Sequence, residues 1–253
     1  MKTTIAGIML LAFGVAAPLA HAAPGVSTAG FTLVQNAGYS TTGLQVLSDN
    51  GSTVQISLSG AEPAINPLSA IAESYDYWNA DYGWAQLGGT VKQGYQITSI
   101  TVGGVLSGSL DIGQPDVDCD TNCTSYAGAA TSNGGIEWKI TSNGNSMTAV
   151  GQLDNVTSSQ GFSSTLTGGL EGDFTLDIYS FLRGSAQATH YAISHNIGDD
   201  GEWTEELFWT SESKIALSDL TLTVQVSPVP EPGTYAMLLA GLGLLGCAAR
   251  RRS

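Results

Sequence analysis

Between residues 23 and 228 the apolar side chains of this chain recur at every second position and almost never at helical spacing. That period restricts the fold more than any other feature. Val54, Ile56 and Leu58 alternate with Thr53, Gln55, Ser57 and Ser59; Phe174, Leu176 and Ile178 alternate with Thr175 and Asp177; Leu220, Leu222, Val224 and Val226 alternate with Thr221, Thr223 and Gln225. A period of two sends successive side chains to opposite faces of a pleated strand, so each segment buries one face and wets the other. Further strands are predicted near residues 31–35, 44–47, 97–106, 136–141, 147–153, 191–194 and 206–209. Between Ile97 and Ile100 the alternation slips by one, which predicts a bulge. Turns are read at Asn50-Gly51, Asn133-Gly134 and Asn143-Gly144, and at the Gly-Gly pairs that begin at Gly88, Gly103, Gly134 and Gly168. One helix is expected over 67–74, through Leu68, Ile71 and Ala72. Many short, turn-punctuated strands without amphipathic helices between them predict an all-β fold, an antiparallel β-sandwich or jelly roll.

Both ends depart from this pattern. Lys2, an apolar run over 5–17 and the small residues flanking His21 in Ala20-His21-Ala22 have the form of a signal peptide, cut by signal peptidase after Ala22. The chain therefore divides into a signal peptide (1–22), a β-sandwich body (23–228) and a tail (229–253). The body keeps only Lys92, Lys139, Arg183 and Lys214 as basic residues against 21 acidic ones, a formal charge of −17. Such a charge repels phosphate backbones and excludes nucleic acid as a partner. About 200 residues suffice for one sizeable core. Cys119 and Cys123 are the two cysteines of the body, and in an oxidising compartment they are expected to join. A loop that short adds about 2 kcal/mol by the chain-entropy argument, enough to staple a surface loop.

Three segments of the body carry candidate chemistry. Asp116, Asp118, Asp120 and Asn122 place oxygen ligands at alternate positions, as a Ca²⁺ loop would; Thr121 stands where an EF-hand needs glycine and Ala127 where it needs glutamate. The competing reading is a solvated acidic loop, and the same holds for Asp199, Asp200, Glu202, Glu205 and Glu206. Between Glu73 and Trp84 stand five aromatics, Tyr75, Tyr77, Trp78, Tyr82 and Trp84, interspersed with Asp and Asn. Rings that stack on a pyranose and amides or carboxylates that meet its hydroxyls are the materials of a carbohydrate-binding surface. The alternative use of these rings is to plug the open end of a sandwich. Tyr75 and Tyr77 are predicted to share one strand face, as are Tyr82 and Trp84. His190 and His195, five apart, would point to opposite faces and so do not suit a zinc site. Carboxylate pairs for glycoside hydrolysis can be drawn from Glu137, Glu171, Asp173, Asp177, Glu202 and Glu205, yet spacing along the chain selects none of them. The nucleophile elbow, the phosphate-binding loop and the zincin motif are all missing from the sequence.

The tail combines Val229, Pro230, Glu231 and Pro232, fifteen apolar or small residues over 235–249, and Arg250, Arg251 and Arg252. As a helix the apolar stretch would run about 22 Å, short of a hydrocarbon core of about 30 Å, with the arginines held on the cytoplasmic side. The two prolines keep Glu231 extended between strand and helix. These three elements in this order resemble the PEP-CTERM sorting signal of Gram-negative bacteria, a tail also labelled an ice-binding protein C-terminal domain. The resemblance implies transient insertion in the inner membrane, processing by an exosortase near the Pro-Glu-Pro element, and release to the cell surface or extracellular matrix. It also implies contact with exopolysaccharide in a biofilm or floc. The expectation is a non-enzymatic exported protein; a secreted carbohydrate-active enzyme on the same fold, or a carrier glycosylated on Ser and Thr, are the alternatives.

Overall fold

The computed structural model describes residues 25–36, 43–116, 118–119, 122–196, 201–229, 237 and 239–242. Numbered along the chain, its strands begin with β1 (Gly25–Ser27), β2 (Phe31–Gln35), β3 (Leu44–Asp49), β4 (Thr53–Leu58) and β5 (Leu68–Ala72). They continue with β6 (Asp76–Val91), β7 (Tyr95–Asp111), β8 (Cys123–Tyr126), β9 (Ala129–Ser142) and β10 (Asn145–Asp154). The last five are β11 (Gln160–Leu170), β12 (Asp173–Gln187), β13 (Thr189–Asn196), β14 (Glu202–Trp209) and β15 (Ser211–Pro228). All pairings are antiparallel.

One six-stranded sheet runs β1-β2-β6-β12-β9-β10; a second runs β11-β7-β15-β4-β3, with β5 also paired to β15. Their inner faces meet in a single core. Ala85, Leu87, Ile136, Trp138, Leu176 and Ile178 come from the first sheet, and Val54, Ile56, Val102, Leu106, Leu222 and Val224 from the second. Each is fully or nearly fully buried, and removing one such side chain from water is worth about 1.5–3 kcal/mol. Trp138 reaches a polar partner at the core's edge, its indole Nε1 donating to Ser164 Oγ at 2.6 Å. A small third sheet, β14-β13-β8, continues from the far end of β12, and a disulfide joins Cys119 to Cys123, the first residue of β8, with Cα atoms 5.4 Å apart.

The bulge expected between Ile97 and Ile100 is present. Ser99 pairs with Gln225 and Ile97 with Val226, so Thr98 is the extra residue, and the same step interrupts the pairing with β11. A second bulge re-phases β15: Ile215 and Leu217 face the core, then Leu220 and Leu222 do, with Asp219 between them at φ 53°.

Three expectations need correction. Residues 67–74 are not helical: Leu68, Ala70 and Ala72 are buried with Ser69 and Ile71 outward, and β5 pairs with Ser211 to Ile215. Five residues of alternating burial carry too little periodicity to separate strand from helix. Residues 73–84 are not an irregular plug, because β6 begins at Asp76. The Gly pairs Gly88-Gly89, Gly103-Gly104, Gly134-Gly135 and Gly168-Gly169 lie inside β6, β7, β9 and β11 and make no turns, and neither does Asn133-Gly134 inside β9. In β6, β7 and β9 the missing side chain serves close approach. A Cβ on Gly134 would meet Ile215 Cδ1 at 2.8 Å, and one on Gly103 the Phe162 carbonyl oxygen at 2.6 Å. The Asn143-Gly144 turn is real: both residues have positive φ, 51° and 76°, as a two-residue hairpin between β9 and β10 requires.

Candidate functional site

The outer face of the six-stranded sheet has two environments, and register decides where they fall. Directly opposed residues share a face, so reading across β6, β12, β9 and β10 yields rows of neighbours about 4.8 Å apart. Trp84, Tyr179, Glu137 and Val150 form one row, and Tyr82, Phe181, Gly135 and Gln152 the next. Beyond them lie Ala80, Arg183, Asn133 and Asp154, then Trp78, Ser185 and Thr131.

The first two rows build an aromatic ridge. Tyr82 stacks on Tyr179 at 5.3 Å between ring centroids, Trp84 tilts against Tyr179 at 4.6 Å, and Tyr179 lies 6.0 Å from Phe181. Phe181 points away from the core yet is buried, whereas Trp84 stays 52% exposed and Trp78 73% exposed. The Arg183 guanidinium covers this group, 5.0 Å from the Phe181 ring and 5.8 Å from the Tyr82 ring. Partial burial and the neighbouring Tyr82 raise the Tyr179 hydroxyl above the usual phenol range, against the opposing pull of Arg183.

A groove flanks the ridge on either side. The larger, about 630 Å³, is lined by Trp78, Tyr82, Asn133, Asp154 and Arg183 among others. Asn133 Nδ2 donates to the Asp154 carboxylate on its floor. The smaller, about 280 Å³, lies against Trp84 and Tyr179 and contains Glu137, Lys139 and Asp177. Of the six carboxylates considered for hydrolysis, Glu137 and Asp177 come together here. Both Asp177 oxygens are engaged, one by Gln86 Nε2 at 2.5 Å and the other by Lys139 Nζ at 3.8 Å. A carboxylate so occupied suits an ion-paired strut better than general acid-base chemistry.

The five predicted aromatics separate. Tyr82 and Trp84 share the ridge, and Trp78 borders the larger groove. Tyr75 precedes β6 at φ 53°, packs edge-on against Phe208 and His190, and its hydroxyl donates to Glu206 at 2.6 Å. That bond raises the Tyr75 hydroxyl's pKa. Tyr77 is exposed one residue out of phase with Trp78. Sequence reasoning missed Tyr179, Phe181 and Arg183, which complete the site from β12. A signal was available: these residues alternate in the opposite phase to Phe174, Leu176 and Ile178, placing aromatics on a face that should be solvated.

His190 is buried between Tyr126, stacked at 4.2 Å, and Phe208 at 5.2 Å, and its Nδ1 has no hydrogen-bond partner among the described residues. His195 stacks on Trp203 and meets Glu205 at 3.1 Å. In the acidic loop, Asp116 accepts from Trp209 Nε1 at 2.9 Å; Asp120 lies outside the described residues, as do Asp199 and Asp200. Among the described residues no three His, Cys, Asp or Glu side chains gather as a metal site would require.

The signal peptide, Pro230, Glu231, Pro232 and Arg250 to Arg252 also lie outside the described residues. Val229 marks where the tail leaves, its N–H donating to the Gly94 carbonyl at 2.8 Å, beside the turn from β6 to β7. Of the expected membrane segment, Met237 and Leu239 to Leu242 are described and helical. Among the described residues no helix is long and apolar enough to cross a membrane.

Fold and site together define an all-β sandwich with a groove-flanked aromatic face and a separate terminal tail. Residues 228–253 match the PEP-CTERM protein-sorting motif, so the chain carries that sorting signal. The motif marks an exported protein that exosortase processes and directs to the cell surface. The match concerns sorting alone and brings no support to the ice-binding label. No curated protein matches the chain.

Proposed function

We propose that the protein is a non-catalytic surface or matrix component that holds a polysaccharide across the outer face of its six-stranded sheet. The observation that carries this reading is the exposed ridge of Tyr82, Tyr179 and Trp84 with a groove on each side that mixes apolar surface with polar side chains. Rings stack on the apolar faces of a pyranose, while Asn133, Asp154, Thr131 and Ser185 meet hydroxyls.

The position of the site suits display. The tail departs beside Gly94, and the larger groove lies at the other end of β6, about 35 Å away along the strand. With the tail in or near a membrane, that groove faces outward. Export begins in this reading with cleavage after Ala22, and exosortase acts near the Pro230-Glu231-Pro232 element.

The test is affinity electrophoresis of the purified full-length chain in gels containing the host's exopolysaccharide. Retardation is expected, and it should be lost in Tyr82→Ala/Trp84→Ala but kept in Tyr77→Ala, an exposed ring off the ridge. Equal mobility of all three in every polysaccharide would refute the binding reading, and turnover of a glycan that disappears with Glu137→Gln would replace it with the enzymatic one.

A further inference from the structure

Arg183 stands apart from the other cations of the body. Lys139 pairs with Asp177, Lys214 pairs with Glu212, and Lys92 donates to the Thr28 carbonyl. Arg183 has no carboxylate within ion-pair distance among the described residues, although the body carries 21 acids. Register accounts for this. The acid in its row, Asp154, sits two strands away, about 10 Å across the sheet, and the intervening Asn133 binds it. Its other lateral neighbour is Ala80, which offers neither charge nor bulk. The guanidinium is braced instead on Phe181 and Tyr82 and interacts with the Tyr179 hydroxyl, which together hold a planar donor fork at the groove with its remaining N–H groups left for a ligand.

Resting on the polysaccharide reading above, we infer that the larger groove selects an acidic saccharide and seats a uronate carboxylate on Arg183. The fork matches a carboxylate bidentately, and a charge-assisted pair of this kind is stronger than a neutral hydroxyl contact. Trp78 and Tyr82 bracket the same groove and would flank the sugar ring that bears the acid. Asp154 and Asn133, farther along the floor, suit the hydroxyls of the adjoining unit, and Asp154 would repel a second carboxylate placed there. The site therefore favours a chain whose acidic units alternate with neutral ones. The −17 body strengthens that preference, because a densely anionic polymer is repelled before it reaches the one unneutralised cation of the face.

The probes are a hexasaccharide of alternating glucuronate and glucose and its carboxyl-reduced, all-glucose form. Each is titrated by calorimetry into the full-length chain, purified in mild detergent, at about 0.15 M salt. Binding of the acidic form at least tenfold tighter than the reduced form is expected. Arg183→Gln should abolish that difference while keeping the weaker affinity for the reduced form, and Arg183→Lys should restore only part of it, since a point charge lacks the fork. Thermal unfolding of both variants checks that the sheet is intact. Equal affinity for the two hexasaccharides overturns the inference and leaves the polysaccharide reading standing. An acid preference that survives Arg183→Gln in a folded variant overturns it as well. Failure of both probes, together with the host exopolysaccharide, removes the underlying reading too.

Discussion

Gly89 offers a sharp test of how the six-stranded sheet is packed. It lies near the C-terminal end of β6, opposite Phe174 of β12, and the Phe174 ring lies across the glycine's backbone. A Cβ added at Gly89 would stand 2.2, 2.5 and 2.6 Å from Cζ, Cε1 and Cε2 of that ring. Carbon atoms in contact keep about 3.5–4.0 Å apart, so the overlap is about 1 Å or more along a whole ring edge. The ring is only 5% exposed and belongs to the core, so it has little room to slide. Overpacking of this kind costs about 1–3 kcal/mol, and a ring that swings out instead forfeits about 1.5–3 kcal/mol of burial. Gly89→Ala is therefore expected to destabilise by about 2–3 kcal/mol, which for a body of this size lowers Tm by about 5–10 °C. Thermal unfolding followed by circular dichroism measures it.

The double-mutant cycle makes the mechanism refutable. Phe174→Ala costs about 3–5 kcal/mol by itself. With the ring gone, Gly89→Ala should cost less than about 1 kcal/mol, so the two changes couple strongly. An equal cost of Gly89→Ala with and without the ring would show that the penalty is not the clash and would sink the reasoning.

Glu62 has its carboxyl pKa raised, first by burial, partly offset by the Leu220 backbone donor and added to by Asp219. A folded pKa above the unfolded one means that ionisation opposes folding: the cost is absent below the unfolded pKa and complete above the folded one. Glu62→Gln should thus raise Tm at pH 7 and leave it nearly unchanged at pH 3; an equal shift at both would contradict this. Trp138→Phe should cost about 1–2 kcal/mol through loss of the Nε1 bond to Ser164, and Ser164→Ala should add little on top of it in urea titrations. Cys119→Ser/Cys123→Ser should lower stability by no more than about 2 kcal/mol, because the five-residue loop it closes is short; loss of folding would assign the disulfide a larger role.

Legibility followed the range of each signal. Alternation is local, so the strands at 54–58, 97–106 and 220–226 could be read directly, and so could the slip at Thr98. Asn143-Gly144 could be read because positive φ at both residues is a demand of the turn itself. Gly88, Gly103 and Gly134 misled because glycine answers two needs: a turn, or the approach of a neighbouring strand's side chain or carbonyl. Nothing local distinguishes them.

The sequence by itself determined that the body is all-β and strongly acidic and that the tail is a sorting signal, since period, composition and a contiguous motif survive without knowledge of contacts. Tertiary structure alone decided that Tyr82 and Trp84 meet Tyr179, Phe181 and Arg183, nearly a hundred residues later, and that Asn133 separates Arg183 from Asp154. The physical reason is register: in an antiparallel sheet, lateral neighbours are set by which strands pair and where. A shift of one residue would have turned the aromatic ridge inward and left no site.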